Sequence, residues 1–430
     1  MFGAFSSLPP DALRVRGAPG SAQPRRSHLA IAFAAVVLSA IIIQHNFPGP
    51  AGYFTSADEG FYYRYAASVH SQGWSGLKEN ADEFVRNTSW HVFPLPTRLL
   101  STLTNACALA VADSYESLSV MSLIWFTLLL IISWHYLCRI WSEDVALTAV
   151  LLLAFSPLLM ALATHALIDS LSSLLIGWAL LSFLAFLVGE DRRDFITFSV
   201  AIALNLLNRE STLLLCPFFL GALLYVKHHR QLRISYRSIS LAVTAITVAV
   251  GLIMLSAYGL QNLSNVARTF YEAQIQHHDA YPMAFNNGPW YRYLLDLLLL
   301  SPLTLLLSLF YCGHYLLSRA RDLRVGVLIS LFCYVLLVFA LTYKNIRYVT
   351  VLDIEVRLLA ALGILQLTGS RITAVRPRKL AAWSIVLLLI ASDVRGFHRY
   401  FVTGKIYDPV SYNFLEIERF IPSLPPGSAQ

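Results

Sequence analysis

The chain has 430 residues, of which 57 % are hydrophobic and only 13 % charged, where a soluble domain carries about a quarter charged residues. Apolar runs recur near the roughly 20 residues that a membrane-spanning helix needs, which excludes both an ordinary water-soluble globule and a barrel built from short alternating strands. The net charge of +7 does not point to nucleic acid, because the basic residues gather in short loops between apolar runs, the orientation signal of a membrane protein.

These properties predict an all-α, polytopic transmembrane helical bundle. Residues 1–28 are rich in Pro, Gly, Ser and Arg without periodicity and read as a disordered cytoplasmic tail. The apolar run 29–45 follows four arginines and carries no small-residue cleavage signal, so it reads as an uncleaved first span. Residues 46–115 form a long polar and aromatic first outer loop. Within it, 97–112 is apolar but interrupted by Thr97, Arg98, Ser101, Thr102, Thr104 and Asn105, the pattern of a helix lying along the surface. Further candidate spans are 117–138, 145–163, 170–188, 195–208, 211–226, 238–258, 294–317, 325–342, 348–367 and 380–396, which with 29–45 makes about eleven.

Charge fixes the expected orientation. Arg139, Arg192, Arg193, the group Lys227 to Arg237, the group Arg319 to Arg324 and the group Arg371 to Lys379 fall on one side, so that side is cytoplasmic. One membrane domain then covers 29–396, with outer loops at 46–115 and 259–293, and the tail 397–430 is extracytoplasmic.

This topology collects the chemistry-bearing residues on one face. Asp58, Glu59 and His91 lie in the first outer loop, and His165 and Asp169 lie in the second, within Ala163-Thr-His-Ala-Leu-Ile-Asp169. Asn208-Arg-Glu-Ser211 is in the third, His277-His278-Asp279 in the fourth, and Lys344 and Arg347 in the fifth. Acids beside cations at span ends suit sugar transfer from a lipid phosphate. A carboxylate takes the acceptor's proton, and cations hold the phosphate and stabilise the leaving group. Each residue also has a plainer reading. Asp58 and Glu59 fit a helix start, Asp169 a helix cap, and Arg209 and Arg347 cations that extend toward the interface. The His277 cluster has metal-ligand chemistry but reads as a loop, and Cys107, Cys138, Cys216, Cys312 and Cys333 read as small apolar packing. Asp353, Glu355 and Arg357 fall inside a span and are spaced to ion-pair across about one turn.

The order Ala57-Asp-Glu-Gly-Phe-Tyr-Tyr-Arg-Tyr-Ala66, His91-x-x-Pro-Leu-Pro96, Phe155-Ser-Pro157, His165-Ala-Leu-Ile-Asp169, Asn208-Arg-Glu-Ser211 and Lys344-x-x-Arg-Tyr348 resembles the membrane glycosyltransferases of the GT-C fold. Within them it is most similar to the dolichyl-phosphate-mannose-protein mannosyltransferase and aminoarabinose–lipid A transferase group, over roughly residues 29–370. The resemblance implies that Asp58 is the catalytic carboxylate, with Glu59 supporting it. It implies substrate-binding roles for His91, Asp169, Arg209, Lys344 and Arg347, the cations meeting the donor phosphate. It leaves the need for a divalent metal open, with Asp58 and Asp169 as the ligands if there is one, and implies no other cofactor. The chain departs from the family at His91-Val-Phe-Pro, where the family has His-Pro-Pro-Leu, and residues 1–430 are expected to hold no large soluble domain like that of some relatives.

The expected partners are a polyprenyl-phosphate-linked sugar donor, a lipid, glycan or protein acceptor, and membrane lipids. The expected location is a bacterial inner membrane, with the site on the extracytoplasmic face. A transporter or flippase of a lipid-linked glycan is the competing reading, and a structural subunit a third. The flippase would show charged residues in mid-membrane and internal repeats.

Overall fold

The computed structural model describes residues 25–49, 52–53, 57–91, 93–230, 232–276, 288–318, 322–341, 345–372 and 374–405. Among them the chain forms seventeen α-helices, with short tighter turns between some of them and no strand. The first is α1 (Arg26–His45), followed by α2 (Asp58–Gln72), α3 (Trp74–Arg86), α4 (Leu99–Val111) and α5 (Tyr115–Ile140). Then come α6 (Glu143–Ala154), α7 (Pro157–Thr164), α8 (Asp169–Gly189), α9 (Arg192–Asn208), α10 (Cys216–Arg230), α11 (Tyr236–Tyr258) and α12 (Leu260–Gln276). The rest are α13 (Arg292–Leu300), α14 (Pro302–Leu317), α15 (Leu323–Phe339), α16 (Thr350–Arg371) and α17 (Val375–Phe397).

Each apolar run expected to span coincides with a helix or a helix pair. By length and composition, six helices among the described residues are able to cross a membrane, or seven if the bent α6–α7 pair counts as one. Several of the others, such as α14 and α15, are apolar but shorter. The expected terminal tails lie largely outside the described residues.

Helix ends follow local chemistry. The side chains of Ser114, Ser142, Ser156 and Ser235 accept backbone N–H bonds at the starts of α5, α6, α7 and α11. Pro157 and Pro302 sit at the first position of α7 and α14, where a missing N–H costs nothing and the preceding helix must stop. The result is a 53° bend between α6 and α7.

α8 is apolar and buried along nearly its whole length, so it forms the centre of the bundle, with α5 and α9 against it. α11 is equally apolar but exposed almost throughout, as a helix facing lipid would be. Inside the bundle, the two Ser-Pro breaks converge on a knot of buried charge. Arg357 lies 3.2 Å from Asp353 and 3.3 Å from Asp393, and donates to Ser301 at 3.0 Å. The Ser156 hydroxyl donates to Asp353 and the Thr304 hydroxyl donates to Asp393 at 3.3 Å. The hydroxyls at the breaks thus partner Asp353, Arg357 and Asp393, whereas Glu355, also buried in α16, does not join the expected ion pairing, since neither of its carboxylate oxygens has a hydrogen-bond partner among the described residues.

The first outer segment folds as a helical hairpin on top of this bundle. Gly73 has φ +63°, the left-handed conformation that ends α2, and a Cβ at Gly76 would stand 2.4 Å from the Ser68 carbonyl oxygen. Phe61 stacks on Phe93 with centroids 4.2 Å apart, and Arg64 lies 4.7 Å from the Trp90 ring centre. The hydroxyls of Tyr65 and Tyr258 donate to the carbonyls of Pro94 and Pro96. These contacts fix the hairpin, and with it the start of α2, against the bundle. α12 packs on α3, so part of the expected loop 259–293 is helical.

Candidate active site

Asp58 and Glu59 occupy the first turn of α2, where the helix dipole favours negative charge. The plain helix-start reading therefore holds, yet the two carboxylates go to different partners. Glu59 is 1 % exposed. Its Oε1 accepts the Ala166 N–H at 2.8 Å and lies 2.9 Å from His165 Nδ1. It ties α2 to the turn before α8. Asp58 faces the other way and keeps 32 % of its side chain exposed. Its Oδ2 accepts from Arg347 Nη2 at 2.9 Å.

Arg347 stands in the tight turn Ile346–Val349 that leads into α16. Its Nη1 is also 3.9 Å from Asp169 Oδ2. Burial works against the Arg347 charge, but the Asp58 and Asp169 carboxylates outweigh it and hold the guanidinium well above its ordinary pKa. Asp169 opens α8 and is 3 % exposed, and its Oδ1 accepts from Arg209 Nη1 at 2.7 Å. Arg209, just past α9, also donates to the Arg347 carbonyl at 3.3 Å and lies 5.1 Å from the Tyr348 ring centre. Four helix ends thus assemble one continuous chain of charge, Asp58–Arg347–Asp169–Arg209, buried at one end and open at Asp58.

A second ion pair adjoins it. Arg98, just before α4, donates from Nε to Glu210 Oε2 at 3.1 Å and from Nη1 to the Tyr62 hydroxyl. Burial raises the Tyr62 phenol pKa, so the hydroxyl remains a neutral acceptor here. Beside this pair lies a cavity of about 320 Å³, with Thr97, Arg98, Arg209 and Glu210 on its polar side and Thr247, Val250 and Met254 of α11 on another.

The structure brings together four of the residues singled out in the sequence: Asp58, Asp169, Arg209 and Arg347. Glu59 is engaged instead by His165 and the Ala166 N–H. His91 does not join them, since its Nε2 bonds the Phe84 carbonyl at 2.9 Å and its ring lies against Phe84. Lys344 and the His277-His278-Asp279 cluster lie outside the described residues. Arg98, Glu210 and Tyr62 were not picked out as site residues. The available signals were an arginine interrupting an apolar run directly after Pro94-Leu-Pro96, and a glutamate beside Arg209.

Asp58 and Asp169 do not fit a metal pair in this arrangement. The Arg347 guanidinium already stands between their carboxylates, where a divalent ion would have to displace it. Among the described residues no group of three or more His, Cys, Asp or Glu side chains is placed to hold a metal ion.

The architecture is that of the GT-C membrane transferases, as the sequence resemblance implied. The chain matches the apo crystal structure of the Archaeoglobus fulgidus oligosaccharyltransferase with a TM-score of 0.59 at 13 % identity, covering 86 % of this chain and 55 % of that one. It matches apo ArnT from Cupriavidus metallidurans with a TM-score of 0.53 at 12 % identity, over 87 % of this chain and 76 % of ArnT. ArnT bound to undecaprenyl phosphate matches at 0.50 and 14 % identity, over 87 % and 75 %. The chain therefore spans little more than half the length of the archaeal transferase. A family model described as dolichyl-phosphate-mannose-protein mannosyltransferase matches residues 101–255, a region that holds Asp169, Arg209 and Glu210. No curated protein matches the sequence.

Proposed function

We propose that this chain is a membrane glycosyltransferase that moves a sugar from a polyprenyl-phosphate carrier to an acceptor hydroxyl on the extracytoplasmic face, with inversion. The observation that carries it is the contrast among the acids of the site. Asp58 is open to solvent, while Asp169 and Glu59 are sealed and fully engaged. A general base must reach the hydroxyl it deprotonates, and of these three acids Asp58 has that access.

The proposed step runs as a single displacement. The acceptor oxygen attacks the sugar's anomeric carbon, and its proton passes to the Asp58 carboxylate. The bond from the anomeric carbon to the phosphate oxygen breaks, and its electron pair leaves with the polyprenyl phosphate. Arg347 and Arg209, both held by Asp169, meet the charge that grows on that phosphate, a role the sequence resemblance also implies for Lys344. Attack opposite the leaving phosphate inverts the anomeric centre. The basic residues of the loops on the other side favour an extracytoplasmic site. The fold shared with ArnT, whose structure holds undecaprenyl phosphate, supports a lipid-phosphate donor.

The flippase reading predicted charge in mid-membrane, and the Arg357 knot is such charge. Its members are at most 2 % exposed and pair with one another, so they line no polar path. The test is purified protein in nanodiscs with radiolabelled polyprenyl-phosphate sugars and an extract of candidate acceptors. Consumption of the donor with release of polyprenyl phosphate is expected. Translocation of intact donor without consumption would overturn the reading.

A further inference from the structure

Arg98 is the strongest charged group near the site that the catalytic chain of Asp58, Arg347, Asp169 and Arg209 does not use. It is 13 % exposed, and its carboxylate partner Glu210 is 41 % exposed. The two come from distant segments, just before α4 and just after α9, and meet at the polar wall of the 320 Å³ cavity. Arg209 lines the same wall, so the cavity adjoins the catalytic chain through Arg209. The α11 residues Thr247, Val250 and Met254 give the cavity another, more apolar side, on the least buried of the candidate spans. A chamber with guanidinium groups on one side and an apolar membrane-facing helix on the other fits an anionic headgroup on a long hydrocarbon.

We infer that Arg98 is a further donor-phosphate ligand, paired with Glu210 until the phosphate enters the cavity and displaces the carboxylate. This rests on the proposed lipid-phosphate donor and adds the residue and the exchange. Glu210 suits the part of the displaced partner, since its greater exposure lets its carboxylate turn to water without being stranded as a buried charge. Tyr62, whose hydroxyl takes the third Arg98 contact, keeps the guanidinium in place during the exchange. It is a positioning residue.

The exchange predicts opposite signs for the two members of one ion pair, which a structural strut would not give. The probe is fluorescent undecaprenyl phosphate, with its Kd measured on the full chain in nanodiscs. Arg98→Ala removes a charge-assisted contact and weakens binding by about 10- to 100-fold. Arg98→Lys keeps the charge and restores part of the loss. Glu210→Gln removes the competing charge and tightens binding by about 2- to 10-fold. Unchanged affinity in Arg98→Ala, or weakening in Glu210→Gln equal to that in Arg98→Ala, overturns the inference. If the wild-type chain itself shows no saturable binding of undecaprenyl phosphate, the donor reading fails first and the inference falls with it. Thermal melting of each variant guards the comparison, because the sign difference must persist among variants with wild-type melting temperature.

Discussion

Two of the arginine–carboxylate assemblies among the described residues, the Asp58–Arg347–Asp169–Arg209 chain at the outer helix ends and the Arg357 knot inside the bundle, differ chiefly in access. In the outer one, Arg347 is shared between Asp169, which is sealed, and Asp58, which is open, while Arg209 pairs with Asp169. In the inner one, Arg357 is enclosed by Asp353, Asp393 and Ser301, and every member is buried. The chemistry of the groups is the same, so charge alone does not mark a catalytic site. What separates them is one carboxylate left partly open to solvent. The inner assembly satisfies the broken helices at Ser156-Pro157 and Ser301-Pro302, while the outer one keeps one end unfinished.

Breaking the inner assembly is expected to have the largest effect on folding. Arg357→Ala strands two buried carboxylates, and loss of one partner from a buried ion pair costs about 3–5 kcal/mol. The expected result is a sharply lower melting temperature in detergent and poor membrane accumulation, with no variant-specific change in donor affinity for the fraction that folds. A wild-type melting temperature would remove the structural role given to this knot.

The outer assembly answers differently. Arg347→Ala is expected to weaken donor binding by about 10- to 100-fold, the worth of a charge-assisted phosphate contact, while the fold survives because Arg209 still holds Asp169. Donor titration by fluorescence checks it, and an unchanged donor Kd would reduce Arg347 to an orienter of Asp58.

Smaller effects sharpen the division between the two neighbouring acids of α2. Glu59→Ala leaves the Ala166 N–H without its acceptor and is expected to cost about 1–3 kcal/mol in stability. Glu59→Gln keeps an acceptor oxygen and is expected to cost much less. Melting curves of both variants decide this, and equal large losses would mean that the Glu59 charge, rather than its hydrogen bonds, holds the turn.

Much of this was legible from sequence. Asp169, Arg209 and Arg347 each lie at the end of an apolar run and Asp58 in a loop on the same expected side, so a bundle of those runs brings the three ends together beneath that loop. The pairing of Asp353 with Arg357 was legible because residues four apart share one face of a helix. The rest depended on geometry that spacing does not carry. Successive helix residues point about 100° apart, which sends Glu59 to His165 while Asp58 meets Arg347. Arg98 and Glu210 meet across 112 positions of chain, and Asp393 reaches Arg357 from a separate helix, so neither pair left a local mark. His91 sits within a recognisable motif, but the turn after α3 binds its ring to Phe84 and away from the acids.

The most direct test of the account is turnover by Asp58→Asn, measured against wild type with a labelled polyprenyl-phosphate sugar at matched protein level and matched melting temperature. Asparagine keeps the size and a hydrogen-bonding oxygen but cannot take the acceptor's proton. A loss of about 10²–10⁴-fold in rate with donor binding retained is expected. A variant that keeps more than about a tenth of the wild-type rate, far short of that loss, would show that Asp58 is not the base.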